Sequence, residues 1–144
     1  MIFKTPRIEA EYHDPAAIHP RIRQLVLFAE DWLYERGIVL AVTELIRTRA
    51  EQVALYAQRG VPDPPTSVHE LGRGADIRTL DWPRNLIPGF VEMINNHFPY
   101  DPDRPLKQTC IFHDIGAGEH IHLQVAAVAV PPDSRLQTPD SEVA

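Results

Sequence analysis

Fourteen prolines are spread through 144 residues, nearly one in ten. Proline has no backbone N–H and fixes φ, so it interrupts helix interiors and central strands. The chain must therefore be assembled from short elements. Residues 1–17 read as extended or irregular. "HPRIRQLVLFAEDWLYERG" starts at Pro20 and places Ile22, Leu25, Val26, Ala29, Trp32 and Leu33 at three- and four-residue spacing. That is an amphipathic helix of about 17 residues, stopped by Gly37. "IVLAVTEL" (38–45) is rich in β-branched residues and reads as a buried strand. "TRAEQVALYAQRG" is a second helix, with Thr48 as N-cap and Gly60 as stop. "VPDPPTSV" (61–68) is a proline-rich loop and "GADIRTL" a short strand. "WPRNLIPGFVEMINNHFP" is a third helix that begins near Pro83 or Pro88 and ends before Pro99. "LKQTCIFHDIG" and "HIHLQVAAVAV" are two strands joined through "IGAGE", an expected antiparallel hairpin. Strands and helices mix without a βαβ rhythm. The expected fold is α+β, a small antiparallel sheet packed with about three helices. Residues 1–130 form the expected domain, and 131–144 a polar, flexible tail.

Charge and cysteine usage narrow the function classes. The formal net charge is −6, without the basic surplus of a general nucleic-acid binder. Cys110 is the single cysteine, so no internal disulfide can form, and its apolar setting in "QTCIF" reads as a buried, inert thiol. No apolar run approaches the roughly 18 residues that span a membrane. The N-terminus lacks the apolar core and cleavage site of a signal peptide. Synthesis in the cytoplasm without membrane insertion is the expectation, and the chain is taken as a monomer.

Candidate chemistry lies in two stretches. "SVHELGRGAD" carries His69 and Asp76, with Gly72 and Gly74 between them. Glycines let the chain bend tightly, so a loop histidine can return beside a strand aspartate. "GEHIHLQV" supplies Glu119, His120 and His122. The strand period of two puts His120 and His122 on one face, where either can be a third ligand. Three protein ligands and one open position are what a catalytic zinc site needs. Glu119 has the opposite strand parity. It joins such a site only through a turn or bulge at 116–119, where Gly116 and Gly118 stand. A glutamate beside a metal can move a proton between water and a leaving amine. His13, His19, His97 and His113 read as ordinary surface or core histidines.

These stretches resemble the zinc D-alanyl-D-alanine carboxypeptidase and L-alanyl-D-glutamate endolysin family of peptidoglycan peptidases. Its Ser-x-His-x-x-Gly-x-Ala-x-Asp pattern falls on Ser67, His69, Gly72 and Asp76, and its Glu-x-x-His on Glu119 and His122. The upstream Arg-Ser/Thr-x-x-x-Gln-x-x-Leu-Tyr pattern falls on Arg47, Thr48, Gln52, Leu55 and Tyr56. The three motifs occur in order over roughly residues 40–125. Gly74 stands where the family has alanine, and Leu45-Ile46 where it has glycine and an aromatic.

The resemblance implies zinc held by His69, Asp76 and His122, with Glu119 as catalytic base. It implies that Arg47 holds a substrate carboxylate or polarises the scissile carbonyl, and that Ser67 and Gln52 belong to the substrate-binding set. Related peptidases with a His-x-His motif use its first histidine, so His120 joins the catalytic set. The implied activity is zinc-dependent cleavage of peptidoglycan stem peptides, as in a phage or prophage lysis enzyme that reaches the wall after release. Two alternatives are a non-enzymatic phage structural or binding module on the same fold and a D,D-dipeptidase.

Overall fold

The computed structural model describes residues 1–114 and 118–127. The expected tail, 131–144, lies outside the described residues, as does most of the "IGAGE" turn. Five strands form one sheet: β1 (Ile2–Phe3), β2 (Ala41–Glu44), β3 (Gly74–Arg78), β4 (Cys110–Asp114) and β5 (Glu119–Gln124). Their spatial order is β1-β2-β3-β5-β4. Four α-helices accompany them: α1 (Pro6–His13), α2 (Pro20–Tyr34), α3 (Arg49–Ala57) and α4 (Leu86–His97).

The α+β class agrees with the sequence reading, and two details differ. The sheet is mixed, because β1 pairs with β2 in parallel while the other pairings are antiparallel. Four α-helices stand among the described residues, because residues 1–17 contain β1 and α1. Pro6 opens α1 and the Thr5 side chain accepts from the Ile8 N–H. The helix is only eight residues long and buries Ile8 and Tyr12, too short a stripe for periodicity to announce.

The second and third helices follow their sequence signals. His19 caps α2 through Nδ1, which accepts from the Arg21 N–H, and Pro20 occupies the first helical position. Thr48 caps α3 in a reciprocal pair with Glu51. α4 begins at Leu86, so Pro88 lies in its first turn, where a missing N–H costs nothing.

Strand alternation divides the sheet into an apolar face and a polar one. Val42, Ile77, Ile121, Leu123 and Cys110 turn inward, against Ile22, Leu25 and Val26 of α2 and Phe90 and Ile94 of α4. The opposite parity carries Asp76, His122, His120 and His113. α2 and α4 thus cover one face, and the other carries Asp76 and the histidines.

Burial in this core pushes the Cys110 thiol up to about 12. At pH 8 the thiolate fraction is then on the order of one in ten thousand. Iodoacetamide at pH 8 should leave the folded protein unmodified and alkylate Cys110 once it is unfolded. Equal rates before and after denaturation would contradict the buried placement.

Candidate metal centre

The strand register assembles the centre. β3 and β5 pair so that Asp76 stands opposite His122, and Arg78 opposite His120. His69 comes from outside the sheet, on a 3₁₀ turn at Val68–Leu71. Ser67 caps that turn, its hydroxyl accepting from the His69 N–H while Glu70 returns a bond to the Ser67 N–H. The structure thus engages Ser67 in shaping the loop.

Two glycines make the return possible. Gly72 has φ +68°, and a Cβ there would lie 2.7 Å from the Ala17 carbonyl oxygen. Its own carbonyl accepts from the His19 N–H at 2.8 Å, which fastens the loop to the start of α2. A Cβ on Gly74 would lie 2.9 Å from Val68 Cγ2 and 3.1 Å from His69 Nδ1. Gly74 is therefore matched to the position of the His69 ring.

One ligand atom from each of His69, Asp76 and His122 lies within 4.8 Å of the others, a group that could hold a metal ion. His69 Nε2 is 3.2 Å from Asp76 Oδ1, and His122 Nδ1 is 2.9 Å from that same oxygen. The far side of each ring is already engaged. His69 Nδ1–H donates to the Leu45 carbonyl at 2.9 Å. Gln124 Nε2 donates to the Gln108 carbonyl, which turns Gln124 Oε1 towards His122 Nε2 at 3.2 Å. His122 Nε2 must then be the donor. In their neutral forms, both rings then present lone pairs to a carboxylate, an arrangement that a cation between them would satisfy.

In the metal-free protein a proton can take that place. Burial raises the Asp76 carboxyl, but hydrogen bonds from His122 and His69 outweigh it and hold the group far below its ordinary value. Burial likewise lowers His69, but the hydrogen bond and charge of Asp76 prevail and the ring lies above its ordinary value of 6.5.

Other predicted residues distribute unevenly. His120 shares the face of the group, its Nε2 3.8 Å from Asp76 Oδ2 and its Nδ1–H donating to the Gly118 carbonyl. Glu119 does not reach the group in this structure. Its strand parity turns it the other way, and its carboxylate accepts from Thr79 Oγ1 at 3.1 Å and from Arg84. Arg84 is the largest influence in holding the Glu119 carboxyl below its usual range. Arg47 and Gln52 meet, Arg47 Nη1 donating to Gln52 Oε1 at 2.6 Å, and Gln52 Nε2 donates to the Pro65 carbonyl.

Two neighbours escaped the sequence reading. Glu44 Oε1 is 3.5 Å from His69 Nε2, and the same carboxylate pairs with Arg47. A bulge between Val42 and Glu44 brings Glu44 opposite Asp76. Simple alternation would have left it on the apolar side. His113 stands opposite His120 in the β4–β5 ladder, with ring centroids 5.4 Å apart. The expected hairpin was its signal, since register alone decides which β4 residue faces His120.

The fold and site thus define an α+β domain with a buried His/Asp/His group able to hold a metal. No family model, curated protein or solved structure matches the chain.

Two outcomes follow for metal binding, with zinc as the probe. Gly74→Ala should push on the His69 ring, cost about 1–3 kcal/mol of stability, and weaken zinc binding by about tenfold or more. Denaturant titration and chelator competition measure the two effects. Unaltered affinity would show that the ring has room. In the unsubstituted protein, zinc must displace the His69 proton, so apparent affinity should rise as pH passes upward through and beyond 6.5. A flat profile would remove His69 from the ligand set.

Proposed function

We propose that this chain is a zinc-dependent peptidase that cleaves peptide bonds in peptidoglycan stem peptides, in the manner of a phage or prophage lysis enzyme. The observation that carries this reading is the convergence of His69, Asp76 and His122 with their lone pairs on one point. Imidazole, carboxylate and imidazole are a suitable donor set for zinc, with a coordination position left for water or substrate. The resemblance of the three motifs to the peptidoglycan peptidases supplies the substrate class.

Zinc bound there would polarise the scissile carbonyl and lower the pKa of water towards about 7. The protein's own groups do the rest. The carbonyl of Leu45 and the side chain of Gln124 fix the ring orientations. Arg47, held beside the group by Gln52 and Glu44, can donate to the carbonyl oxygen as negative charge grows. His120 exposes Nε2 on the reacting face and can receive a proton from water and return it to the departing amine. Glu119 was the expected base. Its pairing with Arg84 makes it a weaker proton acceptor, and we assign the transfer to His120.

Digestion of purified cell wall by the zinc-loaded protein, read by mass spectrometry of the released muropeptides, tests the activity. New stem-peptide amines, lost in Asp76→Ala, are the expected result. Zinc bound at about one equivalent without cleavage would favour a binding module that keeps the fold. Cleavage of free D-alanyl-D-alanine but not of wall would favour a D,D-dipeptidase. The division of labour has its own check. His120→Ala should lower turnover by about a hundredfold or more, and Glu119→Gln should retain most of it. The reverse pattern would return the base role to Glu119.

A further inference from the structure

Three of the five guanidinium N–H groups of Arg47 are already engaged. Its Nε donates to Glu44 Oε2 at 3.0 Å, its Nη2 to Glu44 Oε1, and its Nη1 to Gln52 Oε1 at 2.6 Å. The Arg47 side chain is 14% exposed and that of Glu44 29%, so solvent screens the pair only partly. Gln52 is buried and anchored to the Pro65 carbonyl. Burial alone would depress the guanidinium, yet Glu44 holds it above its ordinary value, so it stays charged.

A bidentate hold on a carboxylate needs two parallel N–H groups of one guanidinium edge. Glu44 occupies the Nε–Nη2 edge in that way. A substrate carboxylate brought to Arg47 would meet Glu44 and Asp76 across a partly desolvated gap, and like charges there repel. A peptide carbonyl asks for less. It is neutral and needs one donor, and a guanidinium carries five N–H groups, of which three are engaged here.

We propose that Glu44 makes Arg47 a donor to the scissile carbonyl and bars it from binding a free terminal carboxylate. The centre then selects peptide bonds inside a chain, and Glu44 is the specificity-determining residue. This rests on the peptidase reading and specifies its substrate class as an endopeptidase substrate.

The test uses the zinc-loaded full chain and two synthetic stem peptides that differ only in the group following the scissile bond. One ends there in a free carboxylate and the other in a carboxamide. The wild type should cleave the amide form at least about tenfold better by kcat/KM, and Glu44→Gln should erase that preference, mainly through KM for the carboxylate form. A parallel arm needs no turnover. N-acetyl-D-alanine should bind the metal-free Glu44→Gln protein more tightly than the wild type, and adding Arg47→Lys should remove the gain. Glu44→Ala replaces Glu44→Gln if the amide variant fails to fold. A wild-type preference for the free carboxylate, or a preference untouched by both Glu44 variants, would overturn the proposal. If neither peptide is cut, the peptidase reading fails, and the binding arm still decides whether Glu44 blocks Arg47.

Discussion

One oxygen of Asp76 organises the polar face of the sheet. Oδ1 lies 3.2 Å from His69 Nε2 and 2.9 Å from His122 Nδ1, while Oδ2 looks towards His120. The aspartate is nearly buried, and a buried carboxylate costs several kcal/mol unless neighbours compensate it. Here compensation comes from two imidazoles whose far nitrogens are committed to a backbone carbonyl and an oriented glutamine. The group could hold a metal ion, and in the metal-free protein a proton on an imidazole can take that place.

The segments that supply these residues carry legible sequence signals. His120 and His122 share a face because a strand has period two, and any extended pairing of "HIHLQV" preserves that relation. His69 and Asp76 needed only a bend, and glycines marked it. α2 and α3 were legible because each carries a cap and a stop around its pattern. What stayed hidden depended on pairings between distant segments. α1 buries just two side chains, and β1 has meaning only against β2. His113 faces His120 through register, which no single strand reveals.

Glu44 and Glu119 show the same limit from opposite sides. Both stand on strands, and alternation assigns each a face. For Glu119 alternation holds, and the carboxylate finds Thr79 and Arg84, partners 40 and 35 residues away in sequence. For Glu44 a bulge breaks alternation and turns the carboxylate towards His69. A motif that specifies a glutamate three residues before a histidine states a residue type and a spacing. It carries no information about the arginine that neutralises that glutamate, nor about a second glutamate delivered from another strand.

Glu44 also joins the metal group to the rest of the molecule. Through Arg47 and Gln52 it is tied to the Pro65 carbonyl, in the proline-rich segment before the His69 turn. The Arg47 N–H in turn donates to the His69 carbonyl. The loop that brings His69 to Asp76 is thus held from both ends by one arginine and its partners. In this chain "RTRAEQ" and "SVHELGRGAD" form one structural unit, because the groups that fix Arg47 are the same groups that fix the loop. The Arg47 side chain and the His69 turn are thus placed relative to each other by shared hydrogen bonds.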